Sequence, residues 1–163
     1  MEPEFFHIDA AQLPTWTDGD LQFKLVDGEA FGHKSAVPVY SKLFMIEIKS
    51  KTRQTVNIGH ELYGEAGLYI LEGNIESEGN IYRPKQLLVA KENSRCEFTI
   101  AADSTIYLFG GEPFAEERFI DWNFVATDKE LINAAKQKWI AQTFDKITGD
   151  ETEFVPYPTF NKK

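Results

Sequence analysis

Cysteine is almost missing. Cys96 is the single one among 163 residues, so no disulfide can form within the chain. That scarcity fits a reducing compartment, and a cytoplasmic location is expected. Cys96 lies in the alternating run RCEFTI, where a small buried hydrophobe is expected in place of a nucleophile. Histidine is nearly as scarce, with only His7, His33 and His60. Positive charge is short as well: 17 Lys and Arg face 26 Asp and Glu, a formal charge of −9. Such a surface repels phosphate backbones, which argues against a nucleic-acid partner. No apolar run approaches the roughly 20 residues of a membrane-spanning helix, so no membrane role is expected. The opening MEPEFFHIDA has neither a basic region nor an apolar core and reads as no signal peptide. GxGxxG, P-loop, GxSxG and CxxC patterns are all absent, and no serine has a fitting histidine base. Carboxylate pairs can be drawn anywhere among 26 acids, so their number carries no catalytic information. No catalytic residue is therefore assigned.

What the chain does have is hydrocarbon. Hydrophobic residues make up 42% and aromatics 13%, a folded composition long enough for one domain with a real core. Up to about residue 125 the sequence reads as short strands between turn signals. They are LQFKLV (21–26), LFMIEI (43–48), QTVNI (54–58), GLYILE (67–72), QLLVA (86–90), CEFTI (96–100) and STIYLF (104–109). GNIESEGNIY reads as a hairpin with SEGN at its tip, and a closing strand is expected over 118–121. The glycines of GEAFG and FGGEP read as turn glycines. Strands this short and regular, punctuated by Gly, Asn, Asp and Pro, predict an all-β sandwich or barrel.

At Thr127 the character changes. TDKE has the form of a capping box, with Thr127 as N-cap and Glu130 three residues on. Leu131, Ala135 and Trp139 then fall four apart, beside Ile132 and Ile140. This predicts a helix over about 128–144 that packs on the β body by that face. The tail, 150–163, contains EFVPYP and is expected to be extended, because Pro156 and Pro158 forbid helix. The whole of 1–163 thus reads as one domain: a β body over about 1–125, a helix and a tail. Trp122 and Trp139 are expected to make the contact between helix and body. Phe5, Phe6, Trp16, Tyr157 and Phe160 are the candidates for exposure.

The segment IDWNFVATDKELINAAKQKWIAQTFDKITGDETEFVPYP, residues 120–158, resembles the end of pirin-family proteins, and YILEG (69–73) and LFGGEP (108–113) resemble the family's strand motifs. The resemblance covers nearly the whole chain, but only the C-terminal half of a pirin, which usually has two cupin domains. It implies a double-stranded β-helix, the cupin jelly roll, with one C-terminal α-helix packed on it. Metal-binding cupins present an HxH pair and then a Glu at the start of the YxLEG strand, with another His from a later strand. Such a set suits iron(II), and in pirins it belongs to the other half. Counted back from Tyr69, Glu65 takes the Glu position, while Gly59 and Glu61 stand where imidazoles are needed. His60 lies between them and points to the opposite side if the strand register holds. No His follows it. No metal site and no cofactor are therefore expected; His60 and Glu65 are the fallback ligands and iron the fallback metal.

Along the opening strand, Glu65, Gly67, Tyr69 and Leu71 share one face by period two, read here as the inward face, with Phe98 and Tyr107 joining from neighbouring strands. A filled interior is expected. If it is open, Glu65, Tyr69, Phe98 and Tyr107 would line the ligand pocket. The leading reading is a metal-free pirin-like cupin domain with a structural, dimerisation or protein-interaction role and no activity of its own. The expected partner is a second copy in a homodimer, or a second cupin half. The resemblance also implies two alternatives, a metal-dependent dioxygenase like quercetin 2,3-dioxygenase and a small-molecule-binding cupin. It links eukaryotic pirins to transcriptional co-regulation as well.

Overall fold

A computed structural model of the chain describes residues 5–90, 97–149 and 152–158; the expectations for Cys96 and Phe160 fall outside them. Most of the architecture comes from strands in which every second residue is aliphatic or aromatic. Six of them form one large antiparallel sheet: β1 (Thr15–Asp18), β2 (Leu21–Ala30), β4 (Leu43–Ser50), β11 (Ser104–Gly111), β6 (Glu65–Glu72) and β9 (Leu87–Ala90), in that spatial order. A short β3 (His33–Lys34) pairs with β2. A second sheet runs β5 (Gln54–Asn57), β10 (Glu97–Ile100), β7 (Ile75–Ser77), β8 (Asn80–Tyr82). The expected hairpin is present, with Ser77 opposite Asn80 across the tip.

The core lies between the two sheets. Phe23, Leu25, Ile46, Ile48, Leu68, Ile70, Ile106 and Leu108 come from the large sheet, and Val56, Ile75, Phe98 and Ile100 from the small one. Pairing stacks them in rows: Ile106 lies opposite Ile48 on one side and Ile70 on the other, and Leu108 opposite Ile46 and Leu68. These contacts correct the inward face expected on β6. Ala66, Leu68 and Ile70 are buried, whereas Tyr69 is half-buried and Leu71 exposed. Both alternating sets in EAGLYILE contain apolar residues, so period two cannot choose between them, and the buried partners on β11 do.

Two glycine readings also change. Gly110 and Gly111 are not turn residues; they sit inside β11, opposite Ala66 and Glu65. Gly28 lies inside β2, just past a bulge between Leu25 and Asp27, with φ +73°.

By contact density the chain falls into two compact units, one ending at Pro113 and the other starting at Phe114. In the second, β12 (Phe119–Asp121) does not close the β body as expected. It pairs with β13 (Phe124–Ala126) in a two-stranded sheet of its own. The helix α1 (Lys129–Ile140) lies against both of these strands. Its N-cap is Asp128 and not Thr127: the Asp128 carboxylate accepts from the Glu130 N–H at 2.8 Å. It stops at Ile140, short of the expected 144, because Gln142 adopts φ +55°. The Gln142 N–H then bonds the Trp139 carbonyl and the Thr143 N–H the Lys138 carbonyl, which closes the last turn. The buried helix residue is Ile132, while Leu131 is exposed. Trp122, Phe124, Trp139, Phe144 and Tyr157 pack largely edge to face in one aromatic cluster, with Trp122 and Trp139 centred 5.2 Å apart. Tyr157 is half-buried in this cluster, and Trp16 is half-buried against Phe23 and Phe31 of the β unit, whereas Phe5 and Phe6 are exposed as expected. Among the described residues no helix is long and apolar enough to cross a membrane.

Candidate functional site

Two features of the β unit offer something to bind. The first is a cavity of about 570 Å³ between the two sheets. Its floor is hydrocarbon, from Ala66, Leu68, Leu108, Ile75, Phe98 and Leu88. Polar groups come from Ser77, Glu78, Tyr82 and Glu97. Asn57 donates its side-chain amide to the Glu97 carboxylate at 3.1 Å. Of the residues expected to form a pocket, only Phe98 lines this cavity.

Tyr69 and Tyr107 are brought together elsewhere, as direct cross-strand partners on the outer face of the large sheet. Glu65 is exposed at the start of β6, opposite Gly111. The backbone of His60 and Glu61 forms a single 3₁₀ turn, Gly59–Glu61, and the His60 side chain lies outside the described residues. Among the described residues no three His, Cys, Asp or Glu side chains gather as ligands for a metal. The inner face of β6 presents Ala66, Leu68 and Ile70, whose side chains have no donor atoms. Iron(II) needs several nitrogen or oxygen donors around open positions, so these residues do not fit an iron centre.

The second feature is the outer face of the large sheet, which changes chemistry across its width. One cross-strand row runs Lys24, Glu47, Tyr107, Tyr69, Leu87. The next runs Asp27, Met45, Phe109, Gly67, Val89. Charge collects at the β2 and β4 end. Glu47 contacts Lys24 at 3.5 Å and Lys49 at 3.2 Å and accepts from the Tyr107 hydroxyl at 3.0 Å. Burial pushes the Glu47 carboxyl up, but the bonds from Lys49 and Tyr107 and the charge of Lys24 outweigh it and hold the group below its ordinary value. Tyr107 moves up, first through its bond to Glu47 and then through burial. Asp27 also moves up, through burial, and its Oδ1 has no hydrogen-bond partner among the described residues. At the β9 end the face is hydrocarbon. The Phe109 ring lies over Gly67, where an added Cβ would come within 3.2 Å of it. Leu87 and Val89 are exposed on the neighbouring strand, Val89 by 68%, and Leu71 is exposed farther along β6.

Residues 45–145 match the pirin C-terminal cupin domain family. The chain belongs to the pirin family. It is 38% identical over 159 residues to a pirin-like protein of Caulobacter vibrioides, covering 97% of this chain and 54% of that protein. It is 28% identical to a Pseudomonas aeruginosa protein named, provisionally, as a quercetin 2,3-dioxygenase, covering 84% of this chain and 43% of that one. This pirin-family chain thus spans about half the length of the curated relatives it matches. Its fold is also that of a crystallised quercetin 2,3-dioxygenase from Acinetobacter baumannii: TM-score 0.77, 22% identity, 93% of this chain and 52% of that one.

Sequence reasoning missed the Glu47 cluster, the cavity rim and the β9 edge. Glu47 had a legible signal: a lone acid in LFMIEIKS, on the phase opposite Phe44, Ile46 and Ile48. The rim residues Ser77, Glu78 and Glu97 had none, since they meet only through the pairing of β10 with β7.

Proposed function

We propose that this pirin-family chain is a pairing module, which docks through the outer face of its large sheet and carries no iron chemistry of its own. The hydrocarbon end of that face is the observation behind the reading. Phe109 and Val89 flank Gly67 in one cross-strand row, and Tyr69 pairs with Leu87 in the next, on a chain of net charge −9; exposed apolar side chains grouped in this way mark sites where a partner excludes water. The aliphatic inner face of β6 supports the metal-free part of the reading. The expected partner is another cupin half, either a second copy or the other half of a longer protein.

Sedimentation velocity tests this with the chain alone, and with the chain mixed with the part of the Caulobacter vibrioides relative that it does not span. A complex in at least one of the two is expected. A lone monomer in both overturns the pairing reading. Metal analysis after chelation, iron(II) reloading and dialysis tests the other half of the proposal, where stoichiometric retained iron would favour the dioxygenase alternative.

The cavity supports a second reading, a metal-free binding site for a small molecule. An apolar floor beneath Ser77, Tyr82, Glu78 and Glu97 suits a compact ligand with an apolar body and a donor group. Saturable ligand-induced stabilisation that is lost in Phe98→Trp, which fills the floor, is the expected result if that reading holds.

A further inference from the structure

The tail lies on the helical unit like a bound peptide. Among the described residues no backbone–backbone hydrogen bond holds 152–158. Glu153, Phe154, Val155 and Pro156 are exposed, and only Tyr157 and Pro158 are half-buried. Each proline fixes its own φ at about −65° and steers the residue before it, Val155 or Tyr157, to extended backbone. The segment VPYP is thus preset in the form that proline-binding grooves read. Two side-chain bonds hold it. The Trp139 indole N–H donates to the Val155 carbonyl at 2.8 Å, and the Tyr157 hydroxyl donates to Asp121 Oδ1 at 2.6 Å. The Tyr157 ring is framed by Trp122, edge to face at 5.7 Å, and by the Lys136 ammonium, 4.6 Å from its centre. Lys136 also donates to Asp121 Oδ2 at 3.0 Å, which fixes the acceptor in place.

The seat is built from elements that pair without the tail. β12 and β13 bond to each other, and α1 packs on both. Trp122 stands in the two-residue turn between the strands at φ +55°, a conformation that bulky residues rarely adopt. Strain of this kind collects at ligand clamps, and here it sets the Trp122 ring against both Trp139 and Tyr157. We propose that this aromatic seat is a docking site for an extended proline-rich segment of another protein, of the form apolar–Pro–Tyr–Pro, and that the chain's own tail is the resident ligand which such a segment displaces. The chemistry of the occupant is read from the segment already seated. Aromatic grooves take proline-rich segments because these are preorganised and keep their carbonyls free of internal bonds, and the Trp139 N–H meets one such carbonyl just before a proline. Asp121 adds selection for a hydroxyl, since a phenylalanine in the slot leaves the carboxylate without that donor. Displacement is feasible because the hold is slight: two bonds and one half-buried ring, against the millimolar effective concentration typical of a short tether. The inference is independent of the pairing reading, whose surface lies in the β unit.

A fluorescein-labelled peptide EFVPYP, titrated with the full chain and read by fluorescence anisotropy, tests this. Pro156→Ala and Tyr157→Ala together weaken the resident tail and leave the seat untouched. This double variant is expected to bind the peptide saturably, at least about tenfold more tightly than the wild type does. Trp139→Phe, added to it, keeps a ring and removes the N–H, and is expected to raise Kd about fivefold. The peptide with phenylalanine in place of its tyrosine is expected to lose a similar factor, and a peptide of the same composition in scrambled order is expected not to bind. Should the double variant unfold by circular dichroism, Tyr157→Phe, which removes only the bond to Asp121, takes its place. A folded tail variant that does not bind the peptide, or that binds the scrambled peptide equally, overturns the inference. Binding that Trp139→Phe leaves unchanged also overturns it. So does a wild type that binds as tightly as the tail variant, because tail and peptide then do not compete for one seat.

Discussion

Gly110 and Asp27 show how much a single position in the large sheet is worth. A Cβ on Gly110 would come within 2.0 Å of the Glu65 carbonyl oxygen and 2.9 Å of the Phe44 ring. One obstacle is backbone of the neighbouring strand, and the other is a ring that is 1% exposed, so neither yields cheaply. Gly110→Ala is expected to cost about 3 kcal/mol in urea unfolding. Asp27 predicts a gain. Burial raises its folded-state pKa above that of the unfolded chain. Its contribution to stability is therefore complete below the ordinary carboxylate range and is lost as pH rises through the raised value. Asp27→Asn removes that titration. The variant is expected to melt higher than the wild type at neutral pH, with the gap closing in acid, as followed by circular dichroism.

At the scale of elements, α1 separates two readings of one pattern. The sequence offers Leu131 and Ile132 side by side, and spacing by four from Leu131 through Ala135 to Trp139 selected the first. The structure buries Ile132 and exposes Leu131 by 59%. Ile132→Ala is expected to cost about 3 kcal/mol, whereas Leu131→Ala should change stability by less than about 0.5 kcal/mol, both read from thermal melts. The same limit explains what could be read of the fold and what could not. Strands were legible wherever aliphatic residues alternate between turn residues, as in LFMIEIKS. β6 was legible as a strand but not in its facing, because both phases of EAGLYILE are apolar. β1 and β3 were missed because TWTD and HK carry little alternation and owe their pairing to β2. The candidate site was less legible still. The cavity gathers Phe98, Ser77, Leu88 and Tyr82 from four strands, and local pattern does not report which strands become neighbours.

For the whole molecule, charge and hydrocarbon oppose each other. Under the pairing proposal the −9 charge would keep copies apart at long range, while the outer face would draw them together at contact. Screening acts on the first and spares the second. Self-association is therefore expected to strengthen as salt rises from low to physiological ionic strength, measured by sedimentation equilibrium; an association driven by ion pairs would weaken instead. The division into two units has a further consequence. The chain has three tryptophans: Trp16 sits in the β unit, stacked on Phe23 at 5.1 Å, and Trp122 and Trp139 both sit in the helical unit, edge to face. Intrinsic fluorescence is therefore partitioned by position. A Trp16→Phe chain emits only from its C-terminal unit, and a chain with Trp122 and Trp139 both replaced by Phe emits only from its β unit. Comparing the two melting curves reveals whether the jelly roll and its helical appendage come apart as one cooperative block or in sequence.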